Sequence, residues 1–271
     1  MTLPDSAGKN AGIMNGQFTP QIIERIQKTG VIAVLTVDKA EDGVPLAQAL
    51  IAGGVDAMEL TLRTPAALDA LREVKRHVPE MLAGIGTILT TEQVKQVADL
   101  GAAFGVAPGT NPRIISEAQK LGLPFAPGVA TPSDIERAVE CGCTLLKFFP
   151  AEPSGGLAYL KSMAAPYAHL KLRYVPLGGL NAGNMRTYLA EPSVLALGGS
   201  WLASREAVQK ESGDVILSGA SILAEVGELF AGTHARPPVG TTTVFKSVGI
   251  AAEDLAAAAL VHRLAKSETG S

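Results

Sequence analysis

A chain of 271 residues with an apolar fraction of 47% can bury one large core or two small ones. A formal net charge of −3 speaks against a nucleic-acid footprint or a polybasic membrane patch, and no apolar run reaches membrane-spanning length. Abundant glycine (29 residues) with only 4% aromatics suits an α/β protein with many tight strand-to-helix turns.

Residues 1–16 are small and polar, carry Pro4, Gly8, Gly12 and Gly16, and lack the apolar core of a signal peptide; they are expected to be mobile. Thr19-Pro20 then opens a helix to about residue 28, expected to cap the N-terminal end of the domain, with a loosely attached surface helix as the alternative. Next, short apolar or β-branched runs alternate with amphipathic stretches. The pattern predicts a strand at 31–37 and a helix at 41–52, then a strand at 57–63 and a helix at 65–77. It continues with 82–88 and 91–100, 104–108 and 112–121, 124–129 and 132–140, 145–150 and 157–164, then 173–178 and 182–189, and ends with a strand at 194–201. Thr64-Pro65, Asn111-Pro112 and Thr131-Pro132 each offer an N-cap followed by proline at the first helical position.

Eight β-then-α units at even spacing predict a closed TIM (β/α)8 barrel over residues 17–203, followed by an extension over 204–271. An open doubly wound sheet would want a glycine fingerprint after its first strand, and Val37-Asp38-Lys39-Ala40 has none. The cysteines, Cys141 and Cys143, stand one residue apart, which makes a poor structural disulfide and at most half a metal site; a reduced, cytoplasmic setting is the natural reading. His77, His169, His234 and His262 are scattered, with no Cys/His/Asp cluster at ligand spacing. A metal held by carboxylates stays open, but the expectation is no metal and no cofactor.

Lys147 carries the strongest chemical signal. It sits in Leu145-Leu146-Lys147-Phe148-Phe149-Pro150, a run that reads as a buried strand. Lysine is almost never fully buried without a partner or a task, and desolvation favours the neutral, nucleophilic form of an amine. A lysine whose stem is buried while its head reaches water is the alternative. In a barrel, functional side chains gather at the C-terminal ends of strands. The second strand carries Glu59, Thr61 and Arg63 at alternate positions, hence on one side. The third ends in Gly84-Ile85-Gly86-Thr87, the fourth in Ala107-Pro108-Gly109-Thr110, and the sixth places Phe149 on the side of Lys147. A structural ion pair of Glu59 with Arg63 or Lys147 remains open here. Gly178-Gly179 after the seventh strand and Gly198-Gly199-Ser200 at the eighth stand where such barrels bind phosphate: paired glycines let backbone N–H groups approach an anion, and the serine hydroxyl adds a donor.

These motifs resemble the 2-keto-3-deoxy-6-phosphogluconate aldolase family, which includes 4-hydroxy-2-oxoglutarate aldolases. The resemblance rests on Met58-Glu59-Leu60-Thr61-Leu62-Arg63-Thr64, Gly84-Ile85-Gly86-Thr87, Lys147-Phe148-Phe149-Pro150-Ala151-Glu152 and Gly198-Gly199-Ser200-Trp201-Leu202, and covers roughly 20–202. It implies a class I aldolase on a TIM barrel, usually a homotrimer. Lys147 would be the Schiff-base lysine and Glu59 the proton-transferring carboxylate. Arg63 and Thr87 would hold the carboxylate of pyruvate, Pro108 and Phe149 would line the pocket, and Gly178, Gly179, Gly199 and Ser200 would lie at the phosphate. The expected partners are small molecules: a 2-oxo acid, pyruvate and a phosphorylated aldehyde such as glyceraldehyde 3-phosphate, or glyoxylate. One pocket position departs, Leu177, where phosphogluconate-specific members usually have threonine. The lost hydroxyl leaves substrate preference and stereochemistry open.

Beyond residue 202, Ser204-Arg205-Glu206-Ala207 through Gly232, then Thr243-Val244-Phe245-Lys246-Ser247-Val248-Gly249 and Glu253-Asp254-Leu255-Ala256-Ala257-Ala258, resemble the C-terminal part of the ornithine cyclodeaminase/μ-crystallin family. That family binds NAD, but the nucleotide loop is missing here, so no NAD site is inferred. The extension reads as mainly helical with one short strand, packing on the barrel or on another subunit. Two other functions stay open at this level: a sugar-phosphate epimerase or isomerase, and a catalytically silent barrel acting as an assembly or binding module.

Overall fold

Thr19 is extended, and its hydroxyl accepts from the Ile22 amide; with Pro20 fixing the first helical φ, this starts α1 (Pro20–Thr29). Gly30 stops the helix at φ 70, a left-handed conformation that glycine adopts without a steric penalty, and its N–H donates to the Ile26 carbonyl. The chain passes directly into β1 (Val31–Leu35). The computed structural model describes residues 17–203, so the expectations for 1–16 and for the extension at 204–271 lie outside the described residues.

After β1 come β2 (Ala57–Thr61), β3 (Leu82–Gly86), β4 (Gly105–Val106), β5 (Phe125–Ala126), β6 (Gly128–Val129), β7 (Leu145–Phe148), β8 (Arg173–Pro176) and β9 (Leu197–Gly199). The intervening helices are α2 (Gly43–Ala52), α3 (Ala67–His77), α4 (Thr91–Asp99), α5 (Pro112–Lys120), α6 (Pro132–Glu140), α7 (Gly156–Ala164) and α8 (Met185–Leu189). Every strand pairing is parallel. The order runs β5-β4-β3-β2-β1-β9 in one stretch and β6-β7-β8 in another. Parallel bridges Tyr174–Val194 and Leu177–Gly198 join β8 to the β9 segment. The single strand expected at 124–129 is split into β5 and β6 at Pro127, which has no N–H to give to a ladder. Its carbonyl still accepts from the Lys147 amide at 2.9 Å. The sheet is curled, with an inner and an outer face.

Both faces are buried, as expected when helices cover a parallel sheet. Outside, Met58 and Leu60 of β2 and Ile85 of β3 pack with Leu71 and Val74 of α3. Inside, Ile32 and Val34 of β1 meet Leu82, Phe104, Val106, Leu145 and Val175. Ile26 of α1 joins this inner cluster and is buried. Arg25 of α1 hydrogen-bonds to Asp56 and to the Glu80 carbonyl, which lie just ahead of β2 and β3. α1 therefore covers the N-terminal end of the strands.

Two of the three expected caps form. The Asn111 side chain accepts from Arg113 N, and Thr131 forms a capping box with Asp134. Thr64 does not cap a helix: its hydroxyl donates to the Val37 carbonyl at 2.5 Å, and α3 starts later, at Ala67. The helix expected from 182 begins only at Met185, because the Asn181 side chain accepts from Gly183 N and holds a turn there. The helix expected at 41–52 is a 3-10 turn, Ala40–Asp42, leading into α2.

Candidate active site

β2 sends Ala57 into the inner cluster while Met58 and Leu60 face the helices, so Glu59 and Thr61 point inward by alternation. On β7 the same rule turns Leu145 and Lys147 inward. The two charges meet across the interior: Lys147 Nζ donates to Glu59 Oε1 at 3.2 Å. Glu59 is 3% and Lys147 7% exposed, so the pair is out of bulk water. Lys147 Nζ also stands 5.4 Å from the centroid of the Phe149 ring, within cation–π reach.

Glycines make the space. A Cβ on Gly86 would lie 1.7 Å from Glu59 Oε1, and one on Gly84 would lie 2.3 Å from the Phe104 ring. The inner side of β3 is thus bare where the carboxylate sits. Below the pair, a cavity of about 20 Å³ is bounded by Phe104, Val106, Leu177 and Gly198. It has room for roughly one water molecule, too little for a substrate.

The remaining sequence-predicted residues lie at or just beyond the C-terminal ends of their strands, the mouth of the curled sheet. Thr87 follows β3, half-buried, at φ 62. For a β-branched residue this backbone is strained, at a cost of about 1–3 kcal/mol. Arg63 lies two residues beyond β2, exposed, with no hydrogen-bond or ion-pair partner among the described residues. Pro108 is exposed at the end of the fourth strand, and its carbonyl presses on the β6 backbone: a Cβ on Gly128 would stand 2.2 Å from it. Leu177 is buried against Gly198, whose missing side chain makes room for it.

Leu177 and Gly198 are bridge partners, which puts the two glycine pairs on neighbouring strand ends. Gly178 and Gly179 have φ of +97 and +81, open to glycine and strained for other residues. The stretch after β7 is tied to them: Ala151 N donates to the Leu177 carbonyl at 2.7 Å and Glu152 N to the Gly178 carbonyl at 3.0 Å. Asn184 Nδ2 donates to the Gly179 carbonyl at 3.2 Å. The Tyr188 hydroxyl donates to Glu152, and burial together with that bond pushes its phenol well up. Ser200 is exposed beside this loop. Gly199 has a packing reason as well, since a Cβ there would collide with the Trp201 ring.

Sequence reasoning passed over two features of the mouth. The Thr36 and Thr61 hydroxyls stand 2.9 Å apart, directly along the strands from Glu59. The signal was the inward parity of Ile32 and Val34, which extends to Thr36. The Phe149–Pro150 peptide is cis. Cys141 and Cys143 carry free thiols, with that of Cys143 pushed up to about 12 by burial. Among the described residues, no group of three or more His, Cys, Asp or Glu could hold a metal ion, and no helix is long and apolar enough to cross a membrane.

Comparison with known proteins points the same way. The model of the family described as KDPG and KHG aldolase matches residues 22–218, and that of the ornithine cyclodeaminase/mu-crystallin family matches residues 193–269. The chain is 43% identical over 187 residues to a 2-dehydro-3-deoxy-phosphogluconate aldolase of Treponema pallidum, covering 69% of this chain and 88% of that protein. It is 42% identical over 192 residues to the KHG/KDPG aldolase of Escherichia coli K12, covering 70% and 88%. Among solved structures, it is similar to the KDPG aldolase of Legionella pneumophila, in which pyruvate is captured at low pH as a covalent carbinolamine. That match has a TM-score of 0.67 at 35% identity and covers 72% of this chain and 93% of that one.

Proposed function

The chain belongs to the KDPG and KHG aldolase family, and from that premise we propose that it works as a class I aldolase with Lys147 as its Schiff-base residue and Glu59 as its proton carrier. The observation that carries this reading is the buried Lys147–Glu59 pair, 3.2 Å apart on strands that are not neighbours. A buried ion pair is a poor way to gain stability, because desolvation offsets the attraction. Its position at the C-terminal mouth, with a bare glycine strand beside it, suits catalysis.

The cycle follows from the geometry. The Lys147 proton passes along the hydrogen bond to Glu59, leaving a neutral amine. That amine adds to the C2 carbonyl of a 4-hydroxy-2-oxo acid to give a carbinolamine. Glu59 returns the proton to the departing hydroxyl, water leaves, and a protonated Schiff base remains. Glu59, again a carboxylate, takes the proton of the C4 hydroxyl, directly or through a water. The C3–C4 bond breaks, its electron pair flows into the iminium, and an aldehyde departs. The enamine is protonated at C3, and hydrolysis releases pyruvate and restores Lys147. Arg63, free to pivot at the mouth, grips the substrate carboxylate bidentately with the Thr87 hydroxyl beside it. Phe149, Pro108 and Leu177 shape the pocket. Gly178, Gly179, Gly199 and Ser200 hold a phosphate.

The same reading takes the curled sheet as an eight-stranded (β/α)8 barrel: β5 and β6 count as one strand, and the bridges from β8 close the ring. It includes a homotrimer and a cytoplasmic setting. The substrate is 2-keto-3-deoxy-6-phosphogluconate or 4-hydroxy-2-oxoglutarate, cleaved to pyruvate plus glyceraldehyde 3-phosphate or glyoxylate. Family membership weighs against an epimerase, an isomerase or a silent barrel.

A pyruvate-release assay on both substrates tests the function. Cleavage of at least one, undiminished by a strong chelator, is expected. Inhibition by the chelator would point to a metal-dependent lyase, and absence of cleavage in a folded protein would point to a silent barrel.

A further inference from the structure

We propose that Thr36 reads the substituent on C5 of the substrate and favours a hydroxyl there over a carboxylate; this rests on the aldolase reading above and deepens it. The Thr61 hydroxyl is buried and donates to the Leu35 carbonyl at 3.1 Å, so its single proton is committed. In the 2.9 Å contact between Thr36 and Thr61, Thr36 is therefore the donor. That uses the only proton Thr36 has. What its oxygen offers the mouth is lone pairs alone, an acceptor and not a donor.

Its place fits the task. Val34 pairs with Glu59 in the β1–β2 register, so Thr36 lies one inward step beyond the level of the carboxylate, half-buried. β1 lies between β2, which carries Glu59, and β9, which runs into Ser200. A substrate with its C4 hydroxyl at Glu59 and its phosphate at Ser200 brings C5 past Thr36. In 2-keto-3-deoxy-6-phosphogluconate C5 bears a hydroxyl, which can donate to the Thr36 oxygen. In 4-hydroxy-2-oxoglutarate C5 is a carboxylate, which has no proton to give and meets a lone pair.

The test compares Thr36→Val, which keeps the shape and removes the oxygen, with Thr36→Ser, which keeps the hydroxyl. With Thr36→Val, kcat/KM for 2-keto-3-deoxy-6-phosphogluconate should fall about 3- to 10-fold, the worth of one neutral hydrogen bond. The value for 4-hydroxy-2-oxoglutarate should not fall, and Thr36→Ser should restore the original ratio. Borohydride trapping of pyruvate on Lys147 should persist in Thr36→Val, since pyruvate has no C5. An equal fall for both substrates, an unchanged ratio, or lost trapping in Thr36→Val would overturn the inference. Absence of trapping in the unsubstituted protein would instead sink the aldolase reading, and this inference with it.

Discussion

Glu59 is the residue on which the site turns. A carboxylate that is 3% exposed needs a counter-charge and room, and the chain supplies Lys147 for the first and Gly86 for the second. Replacing Glu59 by Gln keeps the shape and removes the proton acceptor. Turnover should fall by about 10²–10⁴, the usual worth of a positioned general base; measured kcat within a few-fold of the original would remove Glu59 from the cycle. At this scale the sequence was informative where a residue broke its surroundings. A lysine and a glutamate in apolar strands stood out, and the structure joins them. Thr36 did not stand out, because threonine is an ordinary strand residue; only the direction of its hydrogen bond gives it meaning. Gly86 belongs to a motif legible in the sequence, but its steric reason needs the carboxylate in place.

At the scale of elements, periodicity located the strands and helices, and local chemistry set their ends. The caps at Asn111 and Thr131 follow from side-chain oxygens with proline next in line. Thr64-Pro65 has the same spelling, but the Val37 carbonyl takes the hydroxyl first. A tertiary partner outbid a local one, and a reading of neighbours along the chain cannot foresee that. Pro127 was visible in the sequence, yet only the pairing of Phe125–Ala126 with one neighbour and Gly128–Val129 with the other shows it dividing a strand between two ladders. The glycine pairs just after β8 and at the end of β9 could be read as anion-binding by composition. Their juxtaposition depended on the Leu177–Gly198 bridge, a contact between distant residues.

For the molecule as a whole, the barrel reading explains why α1 sits where it does. The strands open at both ends, and Ile26 and Arg25 cover the N-terminal one. Chemistry is left to the other end, where loops vary without disturbing the core. The proposed trimer is tested by sedimentation: a mass three times the 27.9 kDa of the chain is expected, and a monomer would contradict it. Whether Lys147 forms a covalent bond with the substrate's carbonyl carbon is decided by borohydride reduction of the protein with pyruvate, followed by peptide mass spectrometry. A pyruvate-derived adduct is expected on the peptide containing Lys147, absent without pyruvate and absent in Lys147→Ala. An unmodified Lys147, or an adduct on another lysine, would contradict it.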